Sequence, residues 1–376
     1  MTPSSIAAFR LAARHWLEAH VPSQLPPEDG PATREYALAW QRAQAEGGWA
    51  GIAWPREFGG RGLSVLEQIV WFEEYARAGA PSPLNASFVG LHHAGPTLIA
   101  RGTAAQKAFH LPKILTGEVI WCQGFSEPGA GSDLASVSTR GRIEGDELVI
   151  DGHKIWSSFA DIADWQELLL RTDPAARASA ALSWVICPMN APGISIRPIR
   201  TMAGPRKYCE VFYDSVRVPL ANIVGGLNNG WATAMSTLGF ERGTASLAIL
   251  IGLNLKVEQL LARCPVERAA MRLRLAKLRA EGAAIRAMSY RFALDSETAV
   301  PDSGGSLIRL AFAEFAQRVT AAAIELYGVA GAEVIGPHGW GQDYLDAFSE
   351  TIAGGTAEIQ RNIIAERVLG LPKGPQ

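Results

Sequence analysis

Glu147-Leu148-Val149-Ile150-Asp151-Gly152-His153-Lys154-Ile155-Trp156 sets two runs of β-forming residues on either side of an Asp-Gly pair. That spacing predicts two strands joined by a hairpin turn. Further runs of the same kind lie around it: Ser183-Trp184-Val185-Ile186, Ile194-Ser195-Ile196 and Glu210-Val211-Phe212-Tyr213. Strands that succeed one another across tight turns, with no helices between them, build an antiparallel sheet or small barrel rather than a doubly wound sheet. A central β domain over residues 118–225 is expected. Residues 1–117 read as short helices, broken by a Pro-rich stretch at 21–27 and a Gly-rich loop at 54–62. Two of these helices carry capping boxes, Ser64-Val65-Leu66-Glu67 and Thr103-Ala104-Ala105-Gln106. From residue 226 to 376 the helical period returns in long segments, 230–263, 265–294, 306–328, 344–352 and 356–369, which pack as a bundle. The fold class expected is α+β and multidomain, with helices, sheet and helices in that order.

The chain has 376 residues, 48% of them apolar and 19% charged, with a formal net charge of 35 − 37 = −2. It is long enough to bury a large core without disulfides. Near-neutral charge argues against nucleic acid or an anionic membrane as the main partner, because both call for a strongly basic face. No apolar stretch is long enough for a membrane span. Cys122, Cys187, Cys209 and Cys264 are widely spaced and form no CxxC, so neither a disulfide framework nor a thiolate metal site is signalled, and a reducing, cytoplasmic setting is expected. Residues 1–20 bear Arg and lack acid until Glu18, as a transit peptide would, but read as an ordinary first helix. His92-His93 are poor metal geometry on a helix because adjacent side chains diverge, and no metal is expected.

Three stretches could carry chemistry. The run from Trp121 to Asp133 contains Gln123, Phe125, Ser126, Gly129, Gly131 and Ser132. Its glycines permit close backbone approach, and its N–H and hydroxyl groups suit a phosphate or a ring heteroatom. It does not follow a strand and open a helix as a dinucleotide fingerprint requires, and by itself it is also an ordinary Gly-rich turn. Trp156-Ser157-Ser158 adds a flat aromatic face and hydroxyls, which a stacked planar cofactor would use. The second stretch is the helix bearing Glu241-Arg242, where Ala234, Thr237, Thr244, Ala245 and Ala248 share the face of Glu241 and are all small. Either the carboxylate stands over open space, with the raised pKa that suits a general base, or the stripe is close helix packing with Glu241 paired to an Arg. The third stretch is Ala353-Gly354-Gly355-Thr356-Ala357-Glu358, flexible backbone feeding a helix start that can receive a ligand oxygen, and equally the pattern of a plain helix-to-helix turn. Arg268, Arg272, Arg274, Lys277, Arg279 and Arg286 decorate one helix, as a solvated face or as phosphate ligands.

Taken together these stretches resemble the acyl-CoA dehydrogenase family over nearly the whole chain. The run 125–133 resembles its first signature, Gly152-His153-Lys154-Ile155-Trp156 its second, and Gly355-Thr356-Ala357-Glu358-Ile359-Gln360-Arg361 its third. Residues 54–62 and 363–372 match further family segments. The resemblance implies a helical N-terminal domain, a β-barrel and a four-helix C-terminal bundle. It also implies FAD between the β domain and the C-terminal helices, and an acyl thioester stacked on the flavin. A glutamate would take the α-proton while a β-hydride passes to flavin N5, giving the trans-2-enoyl thioester, with an electron-transfer flavoprotein as the acceptor. By position, Gln123 to Ser132 and Trp156, Ser157 and Ser158 would touch flavin within the chain. Glu325, Gly328, Thr356 and Glu358 would touch it across an oligomer interface or at its adenylate end. Ser132, Arg242, Gly354 and Gly355 fall at the substrate.

Three departures from the family pattern matter. The commonest catalytic glutamate precedes the Gly-Thr of the third signature, where this chain has Gly354. Some relatives carry the base on the first long C-terminal helix immediately before an Arg, the place that Glu241-Arg242 occupies, so Glu241 is the expected base. The N–H of residue 354 persists without a side chain, and with it the polarisation of the thioester carbonyl. The family's Arg-x-x-Phe-Gly, which reaches a neighbouring subunit's FAD phosphates, is missing, with Arg263, Arg268 or Arg272 as substitutes. Glu325 stands where a Gln usually touches the adenylate end. These changes leave room for a hetero-oligomer completed by a sister chain, as well as a homo-oligomer. Two alternatives stand beside the dehydrogenase reading: a non-catalytic or FAD-sharing subunit, and an oxidase or monooxygenase that uses oxygen. A carrier-protein thioester is an alternative to acyl-CoA.

Overall fold

The computed structural model describes residues 3–27, 29–176, 178–241, 244–295, 304–333 and 339–373. The first helices are α1 (Pro3–His20), α2 (Pro31–Glu46) and α3 (Val65–Arg77). A π-helical segment, Val89–Ala94, runs into α4 (Gly95–Arg101), which precedes α5 (Ala104–Leu115). Both expected capping boxes form: Ser64 Oγ accepts from the Glu67 N–H and Thr103 Oγ1 from the Gln106 N–H, while each third residue's side chain accepts from the cap N–H. These bonds satisfy donors that the first turn of a helix leaves without partners.

The central block holds β1 (Trp121–Gly124), β2 (Arg140–Glu144), β3 (Glu147–Ser158), β4 (Trp165–Arg171), β5 (Leu182–Pro188), β6 (Ile194–Ile199), β7 (Tyr208–Pro219) and β8 (Ile223–Val224). The sheet order is β6-β7-β3-β2-β4-β5-β8, with β1 on β4. Most pairings are antiparallel, as expected, but β1 and β2 run parallel to β4. The predicted hairpin at Asp151-Gly152 is corrected: β3 runs straight through, and the register shifts between Ile150 and Gly152 as at a bulge. A Cβ on Gly152 would lie 2.4 Å from Thr139 Oγ1, so glycine is there for close approach rather than for turning. The turn sits instead at Gly145-Asp146, where Gly145 has φ +65°, the first-position glycine of a II′ hairpin.

The C-terminal part comprises α6 (Gly230–Glu241), α7 (Ser246–Arg263), α8 (Ala269–Asp295), α9 (Gly304–Tyr327), α10 (Val329–Glu333), α11 (Trp340–Ala347) and α12 (Ala357–Ile363). The single helix expected over 230–263 is two helices, with Thr244 and Ala245 in a turn between them. Leu250, Val257 and Leu260 of α7, Leu275 and Ile285 of α8, and Phe315 and Val319 of α9 form the bundle core. Two further cores weld the parts together. Trp54, Leu98, Trp121, Trp184 and Ala234 join α4, the sheet and α6, whereas Leu17, Trp71, Leu247 and Ile251 join the first helices to α7. Among the described residues no helix is long and apolar enough to cross a membrane.

Candidate functional site

The site is organised by an ion pair that connects the first two signature stretches. Lys154, in the middle of β3, is wholly buried, and its Nζ donates to Glu127 Oε1 at 2.8 Å and to the Phe125 carbonyl at 2.8 Å. The Glu127 carboxylate also accepts from Ser138 N at 2.6 Å, Ser138 Oγ at 2.7 Å and Thr139 N at 2.9 Å. Burial by itself would raise the carboxyl's pKa, but the Lys154 charge and the Ser138 donors more than offset it and hold it at about 2. Burial pulls Lys154 down to about 8 against the attraction of Glu127, which leaves both groups charged at neutral pH. The loop 125–139 is thereby tied to β3 at two points, and the Ser126 carbonyl accepts from Ile155 N at 3.0 Å as a third. Residues 125–133 follow strand β1 but lead only into a short turn of 3₁₀ helix at Leu134–Ser136, so the strand-to-helix arrangement of a dinucleotide fingerprint is not formed.

Just beyond this tie the strand departs from regular geometry. Trp156 adopts φ +63°, and the register with β7 shifts between Lys154 and Ser157. A bulky residue takes that conformation only where its surroundings impose it. Here it stands the indole off the sheet, 56% exposed, edge-on to Tyr208 at 6.1 Å between ring centroids. Ser157 Oγ is buried and has no hydrogen-bond partner among the described residues. Lys207 lies 5.3 Å from the Tyr208 ring and pairs with Asp346 of α11 at 3.0 Å, so the Trp156 corner abuts the C-terminal helices. Gly131 and Ser132 are exposed, and a Cβ on Gly131 would meet nothing within 4 Å. An exposed indole and an unsatisfied buried hydroxyl on one strand, with an open Gly-Ser loop whose start is tied to that strand, fit a flat cofactor such as a flavin.

Other expected residues have different settings. The Phe125 ring is buried in the core, so it can offer a ligand only main chain. Gln123 turns its amide inward, donating to Glu167 Oε1 at 2.8 Å beside His93. Glu325 pairs with Arg274, and Gly328 ends α9 at φ +60°. Of the arginines considered for phosphate, Arg268 donates to the carbonyls of Glu325 and Leu326, Arg272 to those of Leu261 and Cys264, and Arg263 to the Tyr327 hydroxyl. They fasten helix ends within the chain. Arg274 and Arg279 are paired with Glu325 and Glu258.

Glu241 closes α6; its side chain, and Arg242 altogether, lie outside the described residues. The stripe of small residues proposed for it is corrected. Ala234 and Thr237 are fully buried, and Thr237 Oγ1 bonds Thr97 Oγ1 at 2.8 Å, so that face packs on α4. Thr244 and Ala245 belong to the following turn, where Thr244 donates to Gln68, and Ala248 to α7. The small residues allow close helix packing.

The third stretch forms a tight turn. Gly354 and Gly355 have φ +64° and +96°. Thr356 caps α12 by accepting from Ile359 N at 3.3 Å, and Glu358 is exposed, its carboxyl held down by its own N–H and the Thr356 hydroxyl. That helix start therefore already uses its cap for Ile359, and the N–H groups of the two glycines are among those left to a ligand. Sequence reading missed the Glu127–Lys154 tie, and with it the roles of Arg309 and Gln360 described below. A lysine at a strand position facing the interior was the available signal.

The chain matches the acyl-CoA dehydrogenase N-terminal domain over residues 4–118, the middle domain over 122–216 and the C-terminal domain over 228–369. It is 39% identical over 385 residues to "Acyl-CoA dehydrogenase IpdE1" of Mycobacterium tuberculosis, covering 98% of each chain. The solved structure "Tcur3481-Tcur3483 steroid ACAD" superposes with a TM-score of 0.87 at 31% identity, covering 100% of this chain and 99% of that one. The ChsE4-ChsE5 complex from Mycobacterium tuberculosis gives 0.83 at 30% identity over the same shares.

Proposed function

Because the chain belongs to the acyl-CoA dehydrogenase family, a family of FAD-dependent oxidoreductases, we propose that it desaturates an acyl-CoA between Cα and Cβ with Glu241 as the base. The observation that carries this reading is the Trp156 corner. There the Glu127–Lys154 tie and the Ser126–Ile155 bond fasten the start of the Gly-Ser loop to the strand that carries the exposed Trp156 indole and the unpartnered Ser157 hydroxyl. Ser126, Gly131, Ser132, Trp156, Ser157 and Ser158, with the main chain of Gln123 and Phe125, would hold the flavin, and bound FAD supplies a two-electron hydride acceptor. The carboxylate of Glu241 takes the α-proton. The N–H groups of Gly354 and Gly355 polarise the thioester carbonyl, which makes that proton more acidic. Trp156 covers the reacting face and excludes water. Ser132 and Arg242 complete the substrate side. An electron-transfer flavoprotein is the acceptor in this reading.

One of the similar solved structures is a steroid ACAD, which supports an acyl group on a bulky ring system. A second reading, a chain that shares FAD with a sister subunit, is favoured by one observation: Arg263, Arg268 and Arg272 are spent inside the chain and Glu325 is held by Arg274. Glu325, Gly328, Thr356 and Glu358 would then face the sister chain. The test is an absorbance spectrum of the purified protein followed by anaerobic titration with straight, branched and ring-bearing acyl-CoAs. Bleaching by wild type but not by Glu241→Gln, with FAD and thioester binding retained, is expected. Reduction of Glu241→Gln at the wild-type rate would remove Glu241 from the role, and flavin that appears only when a sister chain is co-expressed selects the second reading.

A further inference from the structure

The Gly354-Gly355 turn is gripped from two helices. From α9, Arg309 donates to Glu350 Oε2 at 2.7 Å, to the Glu350 carbonyl at 2.7 Å and to the Ala353 carbonyl at 2.9 Å. From α12, Gln360, 2% exposed, donates through Nε2 to the Gly354 carbonyl at 2.8 Å. Gln360 Oε1 is buried with no partner among the described residues, so the amide gives up one of its own bonds to make this one. A Cβ on Gly355 would lie 2.6 Å from Gln360 Nε2, which excludes any side chain there while the grip is in place.

In a trans peptide the C=O and the following N–H point in opposite directions. Fixing the Ala353 oxygen therefore fixes the direction of the Gly354 N–H, and fixing the Gly354 oxygen that of the Gly355 N–H. Neither N–H donates to an acceptor among the described residues. We propose that Arg309 and Gln360 are positioning residues, which hold the Ala353 and Gly354 carbonyls so that the two glycine N–H groups face the thioester carbonyl. The inference rests on the dehydrogenase reading above. It assigns to two side chains distant in sequence the orientation that a lone Gly-Gly turn would lose through its own freedom.

The test uses the FAD-loaded enzyme and 3-thiaoctanoyl-CoA carrying ¹³C at its carbonyl, a thioester whose β-carbon is replaced by sulfur and which cannot be desaturated. Isotope-edited infrared spectroscopy reads the carbonyl stretch, which falls when donors polarise it. Wild type should lower the frequency relative to free probe. Gln360→Leu and Arg309→Leu should lose most of that shift, and Arg309→Lys, which keeps one charged donor, should recover part of it. Flavin reduction should slow about 10- to 100-fold, short of full loss of an oxyanion donor, while the probe's dissociation constant changes less than about threefold. A full wild-type shift in folded, flavin-loaded Gln360→Leu and Arg309→Leu overturns the positioning role. Absence of any shift in wild type that holds the probe, as its dissociation constant shows, overturns the thioester reading and this inference with it.

Discussion

Replacing Lys154 with Met keeps the length and apolar stem of the side chain while removing its charge. The Glu127 carboxylate, 5% exposed, would keep its three Ser138 and Thr139 bonds but lose its counter-charge, and the Phe125 carbonyl would lose its donor. Breaking a buried pair by removing one partner costs about 3–5 kcal/mol, a large share of the roughly 5–15 kcal/mol that stabilises a typical domain. The linkage gives a similar size. Holding a carboxyl at about 2 rather than its ordinary 4.5 corresponds to about 3 kcal/mol, present above pH 4.5 and lost as pH falls through 2. Urea unfolding followed by tryptophan fluorescence, with FAD occupancy read from the flavin band, should show Lys154→Met destabilised by about that amount and depleted in flavin, because the 125–139 loop loses its anchor. The double variant Lys154→Met/Glu127→Gln leaves no buried charge and should regain most of the loss. A single variant within about 1 kcal/mol of wild type, or a double variant as unstable as the summed singles, would refute the account.

His110, packed among Trp121, Trp165 and Phe109, is pushed down to about 4 by burial and by Lys113. Its unfolded form binds a proton first, so this residue should withdraw about 3 kcal/mol of stability as pH drops from 6.5 to 4, and His110→Phe should make that part of the stability profile less steep. Cys122, Cys187, Cys209 and Cys264 are all buried, and burial pushes the Cys187 and Cys209 thiols up to about 12, so a thiol reagent should label none in the native protein and all four in denaturant. Labelling of native Cys187 at the rate of a free thiol would contradict the packing. Gly354→Ala forces a side chain to φ +64° and should cost about 1–2 kcal/mol in thermal unfolding, an effect that a flexible, unpinned turn would not show.

The layers of the fold were legible because they rest on local patterns: capping boxes, helical periodicity and alternating β runs each act over a few residues. The hairpin was misplaced for a reason that local pattern does not contain. Gly145 and Gly152 both sit beside an aspartate in β-forming sequence, and only the approach of Thr139 to Gly152 separates a bulge from a turn. The helix expected over 230–263 likewise divides, since α6 packs on α4 and the sheet while α7 packs on the first helices and the bundle. Of the candidate site, the sequence by itself determined which short stretches are candidates to meet a ligand, since glycines, hydroxyls and an aromatic at fixed spacings carry that information. Tertiary structure alone decided what orients them. Glu127 and Lys154 are 27 positions apart, and Arg309 lies 44 before Ala353. Such pairs form only when separate elements pack and exclude water, which is when a buried charge or an unpaired carbonyl must find its partner.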